Sequence, residues 1–454
     1  MRCLRRARNS PAAVVELCKS ASASAAPSFP ATTPSLHRTR RFATSSSPPS
    51  SVTTKPLSAS GIAPLPHRRL IALSGPDAPK FLQGLTTNNV SPAQHAGWYT
   101  AFLNAQGRAL YDAFVYPTPL ANAATAGHKN DWACFVEVDS ASVDGLFKVL
   151  KRHKLRSKVR MRLVDEGEWA VWGAWFAPEA AADATRAATL EKVGAVHMAD
   201  ERAPGLGHRV LVPSSFSSGG VEGAELPPPF ANLDRATPRD YTIRRYLNGV
   251  PEGPSEIRPE EALPLESNID LMRGVDFRKG CYVGQELTIR TKHTGVVRKR
   301  ILPVSLYDLQ GAEPEQLAFD EGASPLRAED VPGGGADVKK VADSEGEAEG
   351  GARRKRNAGR SAGKWLTGVG NVGLALCRLE LMTDVKVAAE GMGSLGSYRP
   401  GMRFGLKWTV EGEEGGKNVG IKAFVPEWHQ LRAEEEARGR KKKVVQREEH
   451  DEES

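Results

Sequence analysis

The octapeptide Lys279-Gly280-Cys281-Tyr282-Val283-Gly284-Gln285-Glu286 gathers the residue types that thiol chemistry needs. Glycine on either side of a cysteine lets the backbone approach a partner closely or turn without a Cβ penalty. Cations beside a thiol, here Lys279 and Arg278, favour the thiolate, as does the start of a helix. The Gln285 amide and the Glu286 carboxylate can hydrogen-bond a polar heterocycle, with Glu266 and Asp276 as further acids nearby. By themselves these residues leave two readings open, a reactive thiol and an inert core cysteine.

A cysteine nucleophile needs a base within reach. His293 lies twelve residues further on and reads as a strand or loop residue, so it meets Cys281 only if the chain folds back. Arg290, Lys292, Arg298, Lys299 and Arg300 form a dense basic run. It reads either as the solvated face of a strand or as a site for carboxylates, which guanidinium and ammonium groups suit. Trp169, Trp172 and Trp175 recur at three-residue spacing and read as core rather than as a ligand platform.

The elements that must position these residues follow from periodicity and turn chemistry. Folded sequence is expected to start near Leu65. Residues 69–90 read as a strand then a helix, with Ser74 as cap, Pro76 and Asp77 in the first turn, and Phe81, Leu82 and Leu85 on one apolar face. Residues 98–116 read as two strands around a turn at Asn104-Ala105-Gln106-Gly107. Another strand is marked by Phe135, Val136 and Val138, and a helix by Val143–His153. Strand-like sequence resumes at Trp365–Leu381 and Gly420–Trp428, and a charge-dense tail, a solvated helix or disorder, begins at Arg432. Residues 214–229 and 310–363 are low in complexity and read as solvated loops that bury too little apolar surface to offset their ordering.

The chain has 454 residues, long enough for two or three domains, with 40% hydrophobic and 26% charged residues. No run approaches the roughly 20 apolar residues of a membrane span. The net charge of +8 resides in residues 1–60, and the remainder sums to zero, which argues against a nucleic-acid binder. That segment is rich in Arg, Ser and Ala, and its composition is that of a mitochondrial transit peptide, with Arg40-Arg41-Phe42 as a processing site. A chloroplast transit peptide has similar composition. The five cysteines include no CxxC spacing, which argues against a disulfide framework and against a zinc or cluster site built from this chain alone.

KGCYVGQE matches the signature of the YgfZ-type, folate-binding iron–sulfur maturation proteins, relatives of the glycine-cleavage T-protein. RRYLNGVPE at 244–252, Pro264-Leu265-Glu266, Arg290-Thr291 and Gly295-Val296-Val297 flank it in the family's order. Upstream, Gly75-Pro76-Asp77-Ala78, Leu103-Asn104, Gly107-Arg108, Lys154-Leu155-Arg156 and Gly207-His208-Arg209 also resemble the family, as does Gly373-Leu374-Ala375-Leu376 downstream. The resemblance covers residues 65–430.

It implies an α+β fold: a T-protein-like ring of three subdomains around a channel that accepts tetrahydrofolate, with a C-terminal antiparallel β-barrel-like domain. The expected layout is a transit peptide and linker over 1–60 and a folate-binding region of two interleaved subdomains over 61–295. A β-rich domain over 296–430 follows, with a disordered insertion at 310–363, and then a tail over 431–454. The resemblance further implies a mitochondrial matrix protein acting late in [4Fe–4S] protein maturation with A-type iron–sulfur carriers. Client enzymes would include aconitase and lipoyl synthase.

Cys281 would be the functional thiol, or a ligand to a cluster shared with the partner. Lys279, Tyr282, Gln285, Glu286, Asn104, Asp112 and Arg290 would shape the thiol and folate site, and the basic run would meet the polyglutamyl tail of folate or an acidic partner. Such a protein is more an accessory factor than a catalyst. The alternative is a folate-dependent aminomethyltransferase or demethylase. T-proteins carry two adjacent acids after the Asn-x-x-Gly turn, and aligned on Asn104 and Gly107 this chain has Tyr111-Asp112. A phenol is no base near neutral pH without a large pKa shift. Asp112 would face the opposite side of the strand from Tyr111.

Overall fold

Alternation along β2 (Arg68–Ser74) sets the plan of the first half of the molecule. Ile71 and Leu73 point to one face and Leu70 and Ala72 to the other, all buried, so this strand must be covered on both sides. The computed structural model describes residues 58–93, 96–177, 194–214, 230, 233–294, 296–322, 327–341, 361–385, 398–408, 417–435 and 438. The Phe42 processing site, nearly all of the 214–229 loop and most of the tail lie outside them.

In the sheet that contains β2, β3 (Trp98–Leu103) pairs with β4 (Ala109–Pro117), β4 with β5 (Ala133–Asp139), β5 with β2, and β2 with β6 (Arg160–Leu163). All pairs are antiparallel. One face is covered by α1 (Ala78–Gln83) and α3 (Val143–Lys154), through Phe81, Leu82, Leu146 and Leu150; α2 (Leu120–Thr125) packs near β2 and β5. Ser74 ends β2 rather than capping α1. Asp77 takes the cap position and Pro79 the first turn, while the Asp77 carboxylate accepts from Lys158 N at 2.6 Å.

The second sheet runs β10 (Asp234–Arg235), β1 (Gly61–Pro64), β7 (Trp169–Trp175), β9 (His208–Pro213), β8 (Val196–Ala199). The fold begins earlier than Leu65: the Trp175 indole N–H donates to Ser58 O at 3.0 Å, and Ala177 N donates to Ser60 Oγ at 2.8 Å. Strand periodicity separates the three tryptophans as core residues. Trp169 and Trp175 join the core shared with the first sheet, and Trp172 packs on the far side with Ile62 and Val210.

After α4 (Pro238–Leu247), capped by reciprocal Thr237–Asp240 bonds, the chain runs through turns to α5 (Gln285–Thr294). The third unit is a closed antiparallel barrel in the order β11 (Lys299–Tyr307), β14 (Val372–Arg378), β13 (Gly363–Val369), β12 (Asp337–Lys340), β15 (Phe404–Trp408), β16 (Lys417–Ala423). Pairing of Leu306 with Ile421 and of Tyr307 with Gly420 closes it, so no edge remains exposed.

Three expectations are corrected here. The 310–363 segment is not wholly an insertion, because it supplies β12 and the buried Ala328, Val331 and Val338. Trp428 is helical, not in a strand. Residues 427–435 form a helix whose Trp428 Nε1 donates to Asn248 O at 3.0 Å. Arg432, expected to be solvated, donates to the carbonyls of Arg202 at 2.7 Å and Glu201 at 2.9 Å, and to that of Leu271.

Candidate functional site

The loop carrying Cys281 is held from below. An ammonium has three donors, and Lys279 places all three on carbonyls at the end of α1: Gln83 O at 2.8 Å, Thr86 O at 2.6 Å and Asn88 O at 2.8 Å. Burial brings its pKa down to about 8, opposed by the Asp276 carboxylate. The ammonium also sits 5.0 Å from the centroid of the buried Tyr282 ring. Val283 N donates to Gly84 O at 3.0 Å, and Asp276 N to Thr87 O at 3.1 Å.

On the other side, Gly284 lies against the β3–β4 turn. It has φ +78°, and a Cβ there would come within 2.2 Å of Asn104 O. The Gln285 side-chain oxygen accepts from Tyr282 N at 3.2 Å, which closes the turn into α5. Lys279, Tyr282, Gly284 and Gln285 therefore form the support of the loop. Cys281 and Glu286 are exposed, as are Arg278, Gly280 and Arg290. Cys281 lies at the surface and not in the core, while Cys134 and Cys377 are buried and burial pushes their thiols up. Of the two glycines, Gly284 makes a close backbone approach and Gly280 does not, since a Cβ at Gly280 meets nothing within 4 Å.

His293 is an exposed residue of α5, not of a strand or loop. A helix rising 1.5 Å per residue carries it about 12 Å from Gln285, so the chain does not fold it back onto Cys281. The basic run is also divided. Arg300 holds Asp270 through two bonds of 2.9 and 3.0 Å and donates to Leu265 O at 2.8 Å; Lys299 lies 3.4 Å from Glu266. Lys292 is buried with its ammonium 4.3 Å from the Phe277 ring centroid. Instead of one solvated face, the run ties α5 and β11 to the chain that precedes the thiol loop. Among the described residues no group of three or more His, Cys, Asp or Glu side chains is placed to hold a metal ion.

Asp112 belongs to a second, buried centre. Tyr111 faces α3, where a Cβ on Gly145 would lie 2.4 Å from its hydroxyl, and Asp112 faces the opposite side. There its Oδ1 accepts from Gly253 N at 3.0 Å. Around it stand residues that the sequence reading did not assemble. Arg68 Nε donates to Glu137 Oε1 at 2.7 Å, Arg209 pairs with Glu137 and, at 3.0 Å, with Glu252, and Arg202 Nη1 is 2.8 Å from Glu252. Tyr241 OH accepts from Arg209 at 2.6 Å and Arg202 at 3.1 Å.

Burial works against the charge on Glu252, but Arg209, Arg202 and Arg68 outweigh it and hold the carboxyl well below its ordinary value. Burial dominates at Asp112 and raises its pKa despite Arg68. Several polar atoms here are sealed yet make no hydrogen bond: Asp112 Oδ2, Glu252 Oε1, both Arg68 Nη atoms and Tyr99 OH. The available signal was a charge inside an apolar strand, as in Phe135-Val136-Glu137-Val138.

Two five-stranded sheets followed by a closed barrel define a protein of the T-protein fold. The glycine cleavage system aminomethyltransferase T from Bartonella henselae has a similar structure, with a TM-score of 0.51 at 14% identity, covering 81% of this chain and 86% of that one. Residues 298–430 match the family described as CAF17, C-terminal beta-barrel domain. The relative from Pyricularia oryzae named mitochondrial iron-sulfur cluster assembly factor IBA57 homolog is 44% identical over 369 residues, covering 81% of this chain and 84% of its own. Its namesake from Aspergillus fumigatus is 40% identical over 442 residues, covering 91% and 93%. The chain belongs to the IBA57 family. The protein is mitochondrial.

Proposed function

We propose that the protein is an iron–sulfur cluster assembly factor of the mitochondrial matrix, acting late in [4Fe–4S] protein maturation with A-type carriers, and that Cys281 supplies one ligand to a cluster passing between them. The cluster is cargo. The supporting observation is the exposed Cys281 on a loop fixed by Lys279 and Gly284. Cluster ligation needs the thiolate, so Cys281 gives up its proton when its sulfur takes an iron site; the partner supplies the remaining ligands. Aconitase and lipoyl synthase are the proposed clients. The test mixes residues 43–454 with an anaerobically reconstituted A-type carrier and follows cluster absorbance and co-elution. A cluster-dependent complex formed by the wild type and lost in Cys281→Ser supports the reading; an unchanged complex in that variant sinks it.

The buried centre supports binding of tetrahydrofolate as an accessory ligand. Asp112 Oδ2 and Glu252 Oε1 offer acceptors and Arg68 offers donors, the complement of a pterin's amino, ring N–H and carbonyl edge. These atoms are sealed, so the centre must open for a ligand to reach them. When bound, the folate would supply a one-carbon acceptor, and these side chains would orient its ring. The Asp112 carboxyl, raised by burial, is also what favours the second reading, a folate-dependent aminomethyltransferase. Calorimetry with tetrahydrofolate, wild type against Asp112→Asn, tests the binding; methylene transfer to tetrahydrofolate by the purified protein tests the second reading.

A further inference from the structure

A cleft of about 220 Å³ lies between the barrel and the helix that follows Cys281. Leu287 and Thr291 of α5 line it on one side, and Leu263 and Leu265 on another, with Val297 on the approach to β11. Its charged rim holds three cations, Arg298, Lys299 and Arg378, and one acid, Glu266. Lys299 is 3.4 Å from Glu266, and Arg378 Nε donates to Ser361 O at 3.1 Å. Arg298 is exposed; its backbone carbonyl accepts from Leu379 N at 3.0 Å, while its guanidinium has no hydrogen-bond or ion-pair partner among the described residues. The cleft thus combines an apolar lining with a surplus of guanidinium charge, which suits an aliphatic side chain followed by a carboxylate.

Its position limits what can fill it. With a rise of 1.5 Å per residue, Leu287 and Thr291 lie about 3 and 9 Å along α5 from Gln285, and Cys281 is on the loop just before that helix. A protein presenting a cluster to Cys281 would therefore lie beside the end of α5 that also lines the cleft.

We propose that the cleft seats an aliphatic-then-acidic peptide segment of the partner that shares its cluster with Cys281, with its carboxylate on Arg298. This rests on the assembly reading above and adds a docking contact that does not require the cluster. The segment holds the partner while ligands exchange, so binding of the cluster-free partner depends on the cleft and not on the thiol.

The experiment uses residues 43–454 as wild type, Arg298→Glu, Thr291→Phe (which fills the cleft) and Cys281→Ser. Fluorescence anisotropy reads two labelled peptides, Ser-Gly-Ile-Leu-Glu-Glu-Gly and the same peptide with Lys for both Glu. Cluster-free carrier is read in parallel by calorimetry. The acidic peptide and the carrier should each lose at least about tenfold in affinity with Arg298→Glu and Thr291→Phe, and should bind Cys281→Ser as they bind wild type. The Lys peptide should bind only Arg298→Glu, a charge-swap rescue that a folding defect cannot produce. Unchanged carrier affinity in both cleft variants overturns the docking proposal and leaves the cluster reading standing. Cluster-dependent complex formation lost in Cys281→Ser reports on that reading separately. Binding of octanoate in the cleft, with neither peptide nor carrier competing, overturns the proposal in favour of a small carboxylate.

Discussion

Gly107 and Gly284 meet backbone to backbone: a Cβ on Gly107 would lie 2.8 Å from the Gly284 carbonyl oxygen, and one on Gly284 would lie 3.1 Å from the Gly107 Cα. Both have positive φ, +80° and +78°. The turn between β3 and β4 is therefore the surface on which the thiol loop rests, although 177 positions separate the two glycines in the chain. The contact explains how a motif without regular secondary structure can hold an exposed cysteine in one place.

Gly284→Ala should be strongly destabilising. The left-handed backbone alone costs about 1–2 kcal/mol for a residue with a Cβ, and overlap with Asn104 O adds about 1–3 kcal/mol. Gly280→Ala, with open space around it, should leave the melting temperature unchanged. Thermal denaturation of the pair checks this, and equal losses in both variants would refute the backbone contact.

Glu252→Gln should cost about 3–5 kcal/mol, because it leaves Arg202, Arg209 and Arg68 facing one another without their shared carboxylate. Urea denaturation should show a lower midpoint with an unchanged slope. The wild type should lose stability in acid for a related reason. Glu252, Glu137 and Asp270 have folded pKa values below their ordinary ones. Their contribution is complete above the unfolded carboxylate pKa of about 4 and is lost as pH falls through the folded values.

Asp112 titrates in the opposite sense. Its folded pKa is raised, so the folded state binds its proton more tightly than the unfolded chain, and ionisation at neutral pH opposes folding. Asp112→Asn keeps an acceptor for Gly253 N and removes that charge. It should raise the melting temperature at pH 7, with the gain shrinking as pH falls through the raised folded pKa and gone below the unfolded value of about 4. An equal gain at both pH values, or a loss at pH 7, would show that the ionised carboxylate is well solvated or well paired.

The thiol loop was singled out by the resemblance of its octapeptide, since spacing alone left a core cysteine open, and the β3–β4 hairpin was legible because Asn104 to Gly107 is a turn in its own right. The buried centre was not. Arg68, Glu137, Arg202, Arg209 and Glu252 lie on separate strands and turns, and apart from Glu137, set in an apolar strand, each reads as an ordinary surface charge until the sheets bring them together. β12 was missed because Val338 is its one buried residue, flanked by Asp337, Lys339 and Lys340. The helix over 427–435 was read only from Arg432 on, as one alternative and as solvated, since Arg432 faces carbonyls that no local pattern announces.

Those last contacts set an order of events. A chain threaded into an organelle N-terminus first delivers Arg432 after Glu201, Arg202 and Leu271, whose carbonyls accept from its guanidinium. The region that carries Cys281 and Asp112 thus gains these contacts only when the helix over 427–435 arrives. A nonsense codon shortly before Trp428 would remove no residue of either site, yet would leave the nascent product incomplete and open to the proteases that clear unfinished chains.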